Sequence, residues 1–399
     1  MLRQYTQTNG GEVDVKELGT HGFDEVRLRR VVDAIADDIA RLRYDGAALR
    51  VHRRGRLVLE SIQGFASREG AVPLKADSVF VTFSSGKQFT AVTVLKFIEK
   101  GLLQLHTPVV DVIPEFGANG KRRITLGQLL THTSGIASLP PMMPFESMGN
   151  LQAMVAALCQ TAPESVPGSR VRYSISPGHA VMAEMVRRVD GGSRAFRDIL
   201  RDEVFEPLGM TSTALGLPDA LRGRLAPVVV RDRAPGLLNP DMLESMNHAL
   251  KADTEVPAGG YVTTIADFAR FAEMLRNGGE LNGARILSPA MIDTATRNYT
   301  GTMPNDIWDY AVDARGWPVF PAYLGLGFFL RGEGFHPTPF GSFASSRTFG
   351  GVGAGSTVFF VDPVKELSFA FLSTGLMEES RSSDRHQRLA DLVHAAIVD

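Results

Sequence analysis

Apolar side chains recur at helical spacing near the start of the chain, between residues 23 and 43. The positions that carry them are Leu28, Val31, Val32, Ile35, Ile39 and Leu42. This spacing predicts an amphipathic helix. Two strand-like runs, AALRVHR and RLVLESI, then flank the dipeptide Arg54-Gly55. Such a pair predicts a β-hairpin with a tight turn.

The middle of the chain has the helical pattern instead, and the strand pattern returns near the end. Helical spacing predicts helices at 86–101, 125–131, 149–161, 178–189, 194–205, 265–277 and 289–296. From about residue 323 the runs YLGLGFFLR, STVFFVD and LSFAFLST predict strands, and a helix is expected at 384–397.

Strands at both ends around a helical middle predict an α+β fold. We expect one sheet built from both chain ends, flanked by the terminal helices, with a mostly helical domain inserted between them. The sheet domain would comprise residues 1–83 and 322–399, and the helical domain residues 84–321. A functional site is expected in the cleft between the two.

Composition narrows the classes of protein that this chain can represent. Its 399 residues are 44% hydrophobic and 22% charged, which is ordinary for a soluble globular protein. Forty-two basic and 44 acidic side chains give a net charge of −2, which favours neither nucleic acid nor an anionic membrane as a partner. A single cysteine, Cys159, argues against a disulfide framework and a cysteine-based zinc site. The N-terminus has no apolar core of signal-peptide length, so we expect a cytoplasmic protein; its oligomeric state stays open.

Residues 81–90, VTFSSGKQFT, contain the first candidate chemistry. A phosphate-binding loop is excluded because Val81 and Gln88 stand where that motif needs Gly and Ser or Thr. A Gly-x-Ser-x-Gly nucleophile elbow is excluded because Thr82 replaces its first glycine.

Helical geometry instead pairs Ser84 with Lys87. If a helix begins near Ser84, residues three apart share a face, so Lys87 lies beside Ser84 and not beside Ser85. A serine hydroxyl needs a neighbouring base before it can attack, and a lysine in an apolar cleft can lose its charge and act as that base. Ser-x-x-Lys also occurs by chance, with the serine as a helix cap and the lysine on the surface.

The context of this motif closely resembles the serine β-lactamase and penicillin-binding-protein-like superfamily, in particular class C β-lactamases and the related family VIII esterases. Five further stretches are similar to the same superfamily in the same order. They are ITLGQLLTHTSGI (124–136), VPGSRVRYSISPGHAVMAEMV (166–186), FEPLGMTST (205–213), PAGGYVTTIADFARFAEMLRNGG (257–279) and RTFGGVGAGSTVFFVDP (347–363). The resemblance spans roughly residues 24–397 and implies a β-lactamase-like fold with an antiparallel sheet.

The resemblance also implies roles for individual residues. Ser84 would be the acylated nucleophile, and Lys87 its base. Tyr173 matches the tyrosine of the second motif, which helps to take the serine proton and protonates the leaving group; a nearby lysine ammonium would stabilise its phenolate. The backbone N–H groups of Ser84 and Val352 would form the oxyanion hole. No metal or organic cofactor is expected.

Two positions depart from the lactamase pattern. Ile175 stands where the second motif usually has Asn, which contacts the amide side chain of a β-lactam. Phe349-Gly350-Gly351 stands where lactamases have Lys-Thr-Gly, and a phenylalanine cannot pair with a substrate carboxylate. We therefore expect Phe349 to form an apolar pocket wall, and Gly350 and Gly351 to let the substrate lie close to the strand.

The sequence thus favours a carboxylesterase that cleaves short-to-medium acyl esters of small molecules. Acyl transfer, weak β-lactamase or D-amino-acid peptidase activity, and a catalytically silent binding protein are the alternatives. An aromatic group before the last strands is open to two interpretations, core packing or acyl binding. Its members are Trp308, Tyr310, Trp317, Phe320 and Tyr323. His132 is interpreted as part of a hydrogen-bonded turn.

Overall fold

Segments from both ends of the chain meet in one antiparallel sheet. A computed structural model describes residues 13–14, 22–139, 141–144, 147–355 and 357–399. The strands are β1 (Val13–Asp14), β2 (Gly46–Arg53), β3 (Arg56–Ser67), β4 (Val72–Pro73), β5 (Phe80–Val81), β6 (Ala214–Leu215), β7 (Tyr261–Thr263), β8 (Glu280–Leu281), β9 (Ala284–Arg285), β10 (Phe329–Leu330), β11 (Phe349–Gly353), β12 (Thr357–Asp362) and β13 (Leu367–Thr374). The large sheet has the order β1-β3-β2-β13-β12-β11-β10, and β4 pairs with β3.

The pairing of β2 with β13 joins the two ends of the chain. Its register runs from Gly46 opposite Thr374 to Arg53 opposite Leu367. The predicted hairpin is present as β2 and β3, and its turn has positive φ at both Arg54 (50°) and Gly55 (77°). Two central residues with positive φ are the geometry of a tight hairpin turn. The predicted α+β fold, with one sheet from both chain ends, is confirmed.

Helices fill the middle of the chain, as the periodicity predicts. They are α1 (Glu25–Ala40), α2 (Lys87–Glu99), α3 (Val109–Val112), α4 (Leu126–Leu130), α5 (Leu151–Gln160), α6 (Pro177–Val189), α7 (Phe196–Leu200), α8 (Asp219–Arg222), α9 (Pro240–Glu244), α10 (Met246–Ala249), α11 (Ile265–Arg276), α12 (Pro289–Ala295), α13 (Asp309–Arg315) and α14 (Glu379–Ala395). In the described part of the chain, no helix is long and apolar enough to cross a membrane.

Hydrophobic side chains pack on both faces of the large sheet. Because successive residues of a strand point to opposite faces, Phe369 and Phe371 of β13 pack with α1 and α14, whereas Ala370 and Leu372 join the core that contains α11. The core that contains α11 also surrounds α2, which is buried on nearly all sides. The domain boundaries at 83/84 and 321/322 stay a prediction.

The small sheet β5-β7-β6 positions the chain just before α2. Phe80 and Val81 pair with Thr263 and Val262, and the Thr82 amide donates to the Tyr261 carbonyl at 2.9 Å. This pairing fixes the direction in which the chain enters the turn at Phe83–Gly86.

Candidate active site

Ser84 lies in a short 3-10 turn, Phe83–Gly86, between β5 and α2. The α-helix itself begins at Lys87, within one residue of the predicted start at residue 86. Ser84 and Lys87 still share a face, because residues i and i+3 are aligned even more closely in a 3-10 turn. Phe83 has φ of 48°, a left-handed conformation that is unfavourable for a bulky residue and is often found at functional sites.

Lys87 is buried, and its amine is held beside the Ser84 hydroxyl. Its Nζ lies 3.1 Å from Ser84 Oγ and donates to the carbonyl oxygens of Ile175 at 2.7 Å and Ala258 at 3.0 Å. Burial lowers the pKa of Lys87 to about 7. A neutral amine has two N–H groups and one lone pair. When the two carbonyls occupy the N–H groups, the lone pair is left for the Ser84 hydroxyl.

Tyr173 also contacts Ser84 and lies close to Lys87. Its hydroxyl is hydrogen-bonded to Ser84, and Lys87 Nζ lies 5.1 Å from the centre of its ring. Burial raises the pKa of Tyr173, and the hydrogen bond to Ser84 only partly offsets this. The tyrosine is therefore a neutral phenol beside a lysine whose pKa is lowered. The expectation of a phenolate stabilised by an ammonium group is not supported by this geometry.

His132 packs against the tyrosine and fixes its backbone. The two rings are stacked, with centroids 4.6 Å apart, and His132 Nδ1 accepts a hydrogen bond from the Ser174 amide at 3.0 Å. Burial, with a smaller contribution from the charge of Lys87, lowers the pKa of His132 to about 3. A neutral histidine in this position supports Tyr173 and agrees with the predicted structural role.

Strand β11 packs closely on the turn that carries Ser84. A Cβ atom on Gly353 would lie 2.2 Å from the Thr82 carbonyl oxygen, so only glycine allows this approach. Thr357 Oγ1 donates to the same carbonyl at 2.7 Å. In the described part of the chain, β10 pairs with β11 no further than Gly350, which leaves the strand edge at Val352 uncovered. The oxyanion hole at Ser84 and Val352 stays a prediction.

Phe349, Gly350 and Gly351 do not line the pocket, contrary to expectation. Phe349 is 2% exposed and lies in the hydrophobic core, where its ring contacts Phe328 edge to face at 5.4 Å. A Cβ atom on Gly351 would lie 2.0 Å from Gln88 Oε1, so this glycine accommodates α2. Residues 349 and 351 share one face of β11, because side chains alternate along a strand, and that face is turned to the core.

A narrow, mostly apolar pocket of about 60 Å³ opens at Ser84. Ile175, which was predicted to belong to it, is present, and of the aromatic group Trp308 lines the pocket. The other lining residues are Tyr173, Leu237, Leu238, Ile307, Phe329, Pro339, residues 352–355, Glu379, Ser382, Ser383 and His386. In the described residues, no group of three or more His, Cys, Asp or Glu side chains could hold a metal ion.

The sequence analysis did not identify the pocket-lining residues of the C-terminal helix. The helix was expected to begin at residue 384, but it begins at Glu379. Helical spacing of Glu379, Ser382, Ser383 and His386 was the available signal, since residues three, four and seven apart share a face.

A serine hydroxyl, a buried lysine amine and a buried tyrosine hydroxyl meet at one pocket, an arrangement that suits the class of serine hydrolases. The chain belongs to the Beta-lactamase family, whose model matches residues 29–393. The predicted resemblance to the serine β-lactamase and penicillin-binding-protein-like superfamily is confirmed.

Individual relatives carry esterase, β-lactamase and penicillin-binding-protein names. The chain is 27% identical over 396 residues to Esterase/beta-lactamase LipL of Mycobacterium tuberculosis, covering 94% of this chain and 87% of LipL. It is 31% identical over 299 residues to Penicillin-binding protein 4 of Amycolatopsis lactamdurans, covering 74% of each. A solved penicillin-binding protein homologue from Caulobacter crescentus has a TM-score of 0.78 at 26% identity, covering 94% of this chain and 99% of that one. These relatives support a serine-hydrolase type of enzyme.

Proposed function

We propose that this protein is a carboxylesterase that hydrolyses short-to-medium acyl esters through an acyl-enzyme on Ser84. The position of the Lys87 amine carries the proposal. Two carbonyl oxygens hold Nζ at 3.1 Å from Ser84 Oγ, and burial lowers the pKa of Lys87 to about 7. A general base works best when its pKa lies near the pH at which it operates.

Acylation begins with attack of Ser84 Oγ on the ester carbonyl carbon. The hydroxyl proton passes to Lys87 Nζ as the new C–O bond forms, and the carbonyl oxygen becomes an oxyanion. The backbone N–H groups of Ser84 and Val352 donate to this oxyanion. The C–O bond to the alcohol then breaks, and the departing oxygen takes a proton from the Tyr173 hydroxyl, which Lys87 re-protonates.

Deacylation repeats the same steps with water. Water occupies the place of the departed alcohol, gives its proton to the Tyr173–Lys87 pair and attacks the acyl carbon. The tetrahedral intermediate collapses, Ser84 recovers its proton, and the carboxylic acid leaves. No step needs a group other than the ester, water and the residues named.

The pocket favours an ester over a β-lactam as the substrate. Ile175 presents a branched apolar side chain to the pocket where the lactamases of this superfamily have an amide. Nothing at that position can donate a hydrogen bond to the amide side chain of a lactam. Apolar side chains such as Leu237, Leu238 and Phe329 suit a short hydrocarbon chain.

Turnover of p-nitrophenyl acetate, butyrate and octanoate by wild type, Ser84→Ala and Ser85→Ala tests the proposal. Ser85 is the matched control, because it is the neighbouring serine but its hydroxyl donates to the Thr82 carbonyl at 2.9 Å. We expect Ser84→Ala to lose turnover and labelling by a fluorophosphonate probe, and Ser85→Ala to retain both.

Each alternative function predicts a different result in the same assays. Equal turnover by Ser84→Ala and wild type would contradict the proposal, and absence of labelling in the wild type would indicate a silent binding protein. Ester formation with an added alcohol that exceeds hydrolysis would indicate an acyltransferase. Hydrolysis of nitrocefin faster than that of any ester would indicate a β-lactamase.

A further inference from the structure

Four polar side chains of α14 face the same pocket as Ser84. Glu379, Ser382, Ser383 and His386 all line it, and their spacing places them on one face of the helix. We call these four residues the polar subsite. The other walls are mostly apolar, so the pocket is suited to a substrate that is apolar along one side and hydrogen-bonding along the other.

Arg385 sets the direction of the hydrogen bonds in the polar subsite. Its guanidinium donates to Ser382 Oγ at 3.0 Å and to His386 Nε2 at 3.1 Å. A guanidinium group has donors only, so His386 accepts through Nε2 and carries its proton on Nδ1. Burial, followed by the charge of Arg385, lowers the pKa of His386 well below its ordinary value, and the ring is neutral.

The Nδ1–H group of His386 has no acceptor within the described part of the chain, although the side chain is only 1% exposed. A buried donor without a partner is unfavourable, and such groups are uncommon in folded proteins. His386 lines the pocket, but its Nδ1 atom is covered by the protein, so the recognition of a ligand is argued from Glu379 and not from this donor.

Glu379 gives the subsite an acceptor at its other end. Its Oε2 accepts from the Leu237 amide at 3.2 Å. Burial is the main reason that the pKa of Glu379 is raised to about 7, and the negative charge of Glu378 adds to it. The backbone amides around the carboxyl group act in the opposite direction but bring no full positive charge. A donor or a cation on the ligand would therefore stabilise the carboxylate.

We propose that the polar subsite binds a hydrogen-bonding substituent of the ester, and that Glu379 makes the enzyme prefer an ammonium or hydroxyl substituent over a carboxylate. This inference rests on the proposed esterase function. Glu379 is a specificity-determining residue and exchanges no proton with the reacting atoms. The substituent belongs to the acyl part or to the alcohol part of the ester, and two series of substrates distinguish these.

The acyl series consists of ethyl 6-aminohexanoate, ethyl 6-hydroxyhexanoate, ethyl heptanoate and monoethyl adipate. The alcohol series consists of 6-aminohexyl, 6-hydroxyhexyl and heptyl acetate and 6-acetoxyhexanoate. Values of kcat/KM from a pH-stat at pH 8 are compared for wild type, Glu379→Gln and Asp384→Asn. Asp384 is the matched control, since it lies on the exposed face of the same helix and its loss changes the net charge equally.

In at least one series, we expect Glu379→Gln to lower the kcat/KM of the amino ester, relative to that of the ester with a terminal methyl group (ethyl heptanoate or heptyl acetate), by about tenfold or more. A hydrogen bond to a charged group is worth that much. The corresponding ratio for the carboxylate ester should rise. The ester with a terminal methyl group is the internal reference within each variant, and Asp384→Asn should resemble wild type.

Unchanged ratios in Glu379→Gln in both series, with ethyl heptanoate and heptyl acetate still hydrolysed, would overturn the subsite and leave the esterase function standing. If wild type hydrolyses none of the esters, the proposed function fails, and calorimetry then decides the subsite. Ser84→Ala should bind the amino esters more tightly than Ser84→Ala/Glu379→Gln does. Equal affinities would overturn the subsite in that case as well.

Discussion

As the proposed base, the buried amine of Lys87 should make acylation depend on pH close to neutrality. Burial lowers the pKa of Lys87 from 10.5 to about 7, and only the neutral amine can take the Ser84 proton. The neutral fraction in the free enzyme is about one half at pH 7, about 9% at pH 6 and about 1% at pH 5. We therefore expect kcat/KM for ethyl butyrate to rise about tenfold between pH 5 and pH 6 and to level off above about pH 8.

Two variants separate Lys87 from other groups that titrate in this range. Glu379→Gln should keep the inflection with ethyl butyrate, because this substrate carries no group for the polar subsite although the pKa of Glu379 is also about 7. Lys87→Arg keeps the positive charge but cannot act as a base, so it should lose about 10²–10⁴-fold in kcat/KM and its inflection. A flat wild-type profile from pH 5 to pH 9, in protein shown to be folded by circular dichroism, would refute the assignment.

Three further outcomes follow from the same contacts. Tyr173→Phe removes the hydroxyl that is hydrogen-bonded to Ser84, so kcat for ethyl butyrate should fall by about 10² or more. The kcat for p-nitrophenyl butyrate should fall much less, because nitrophenolate leaves without a proton. Equal losses for the two substrates would contradict the role of Tyr173 as a proton donor. Gly353→Ala should lower the free energy of unfolding in urea by about 1–3 kcal/mol, because its Cβ would lie 2.2 Å from the Thr82 carbonyl oxygen; an unchanged value would contradict this packing. The lowered pKa of Lys87 means that the folded protein binds fewer protons than the unfolded chain between pH 7 and about pH 10. Relative to Lys87→Met, wild type should therefore gain about 1 kcal/mol of stability per pH unit between pH 7.5 and pH 9.5, and parallel curves would exclude the shift.

Apolar periodicity predicted the fold well because the large sheet has a distinct core on each face. Phe369 and Phe371 face one core and Ala370 the other, so β13 is a short continuous apolar run, which is typical of a strand buried on both faces. The start of α14 was missed for the opposite reason. Its first turn is buried but polar, and Glu378 accepts hydrogen bonds from the Ser380 amide and the Tyr310 hydroxyl. A pattern of hydrophobicity cannot detect a buried turn whose polar groups are satisfied by one another.

Part of the site could be predicted from spacing alone, and part could not. Ser84 and Lys87 are only three residues apart, so the local geometry of the chain is enough to predict that they are neighbours. Tyr173 is 86 residues beyond Lys87, so only the family resemblance could bring it to the serine. Phe349 was misplaced because the resemblance identifies the strand but not which face of it is turned to the pocket, and one position along a strand reverses that face.

Backbone carbonyl oxygens hold the amine of Lys87, so the position of the proposed base does not depend on the neighbouring side chains. Lys87 Nζ is bound by the backbone of Ile175 and Ala258, and every residue type has such a carbonyl oxygen. The side chain of Ile175 lines the pocket instead. One residue therefore contacts Lys87 through its backbone and the pocket through its side chain. Replacement of the usual Asn by Ile changes the side chain that the pocket presents and leaves the hydrogen bond to Lys87 in place, as the proposed mechanism requires.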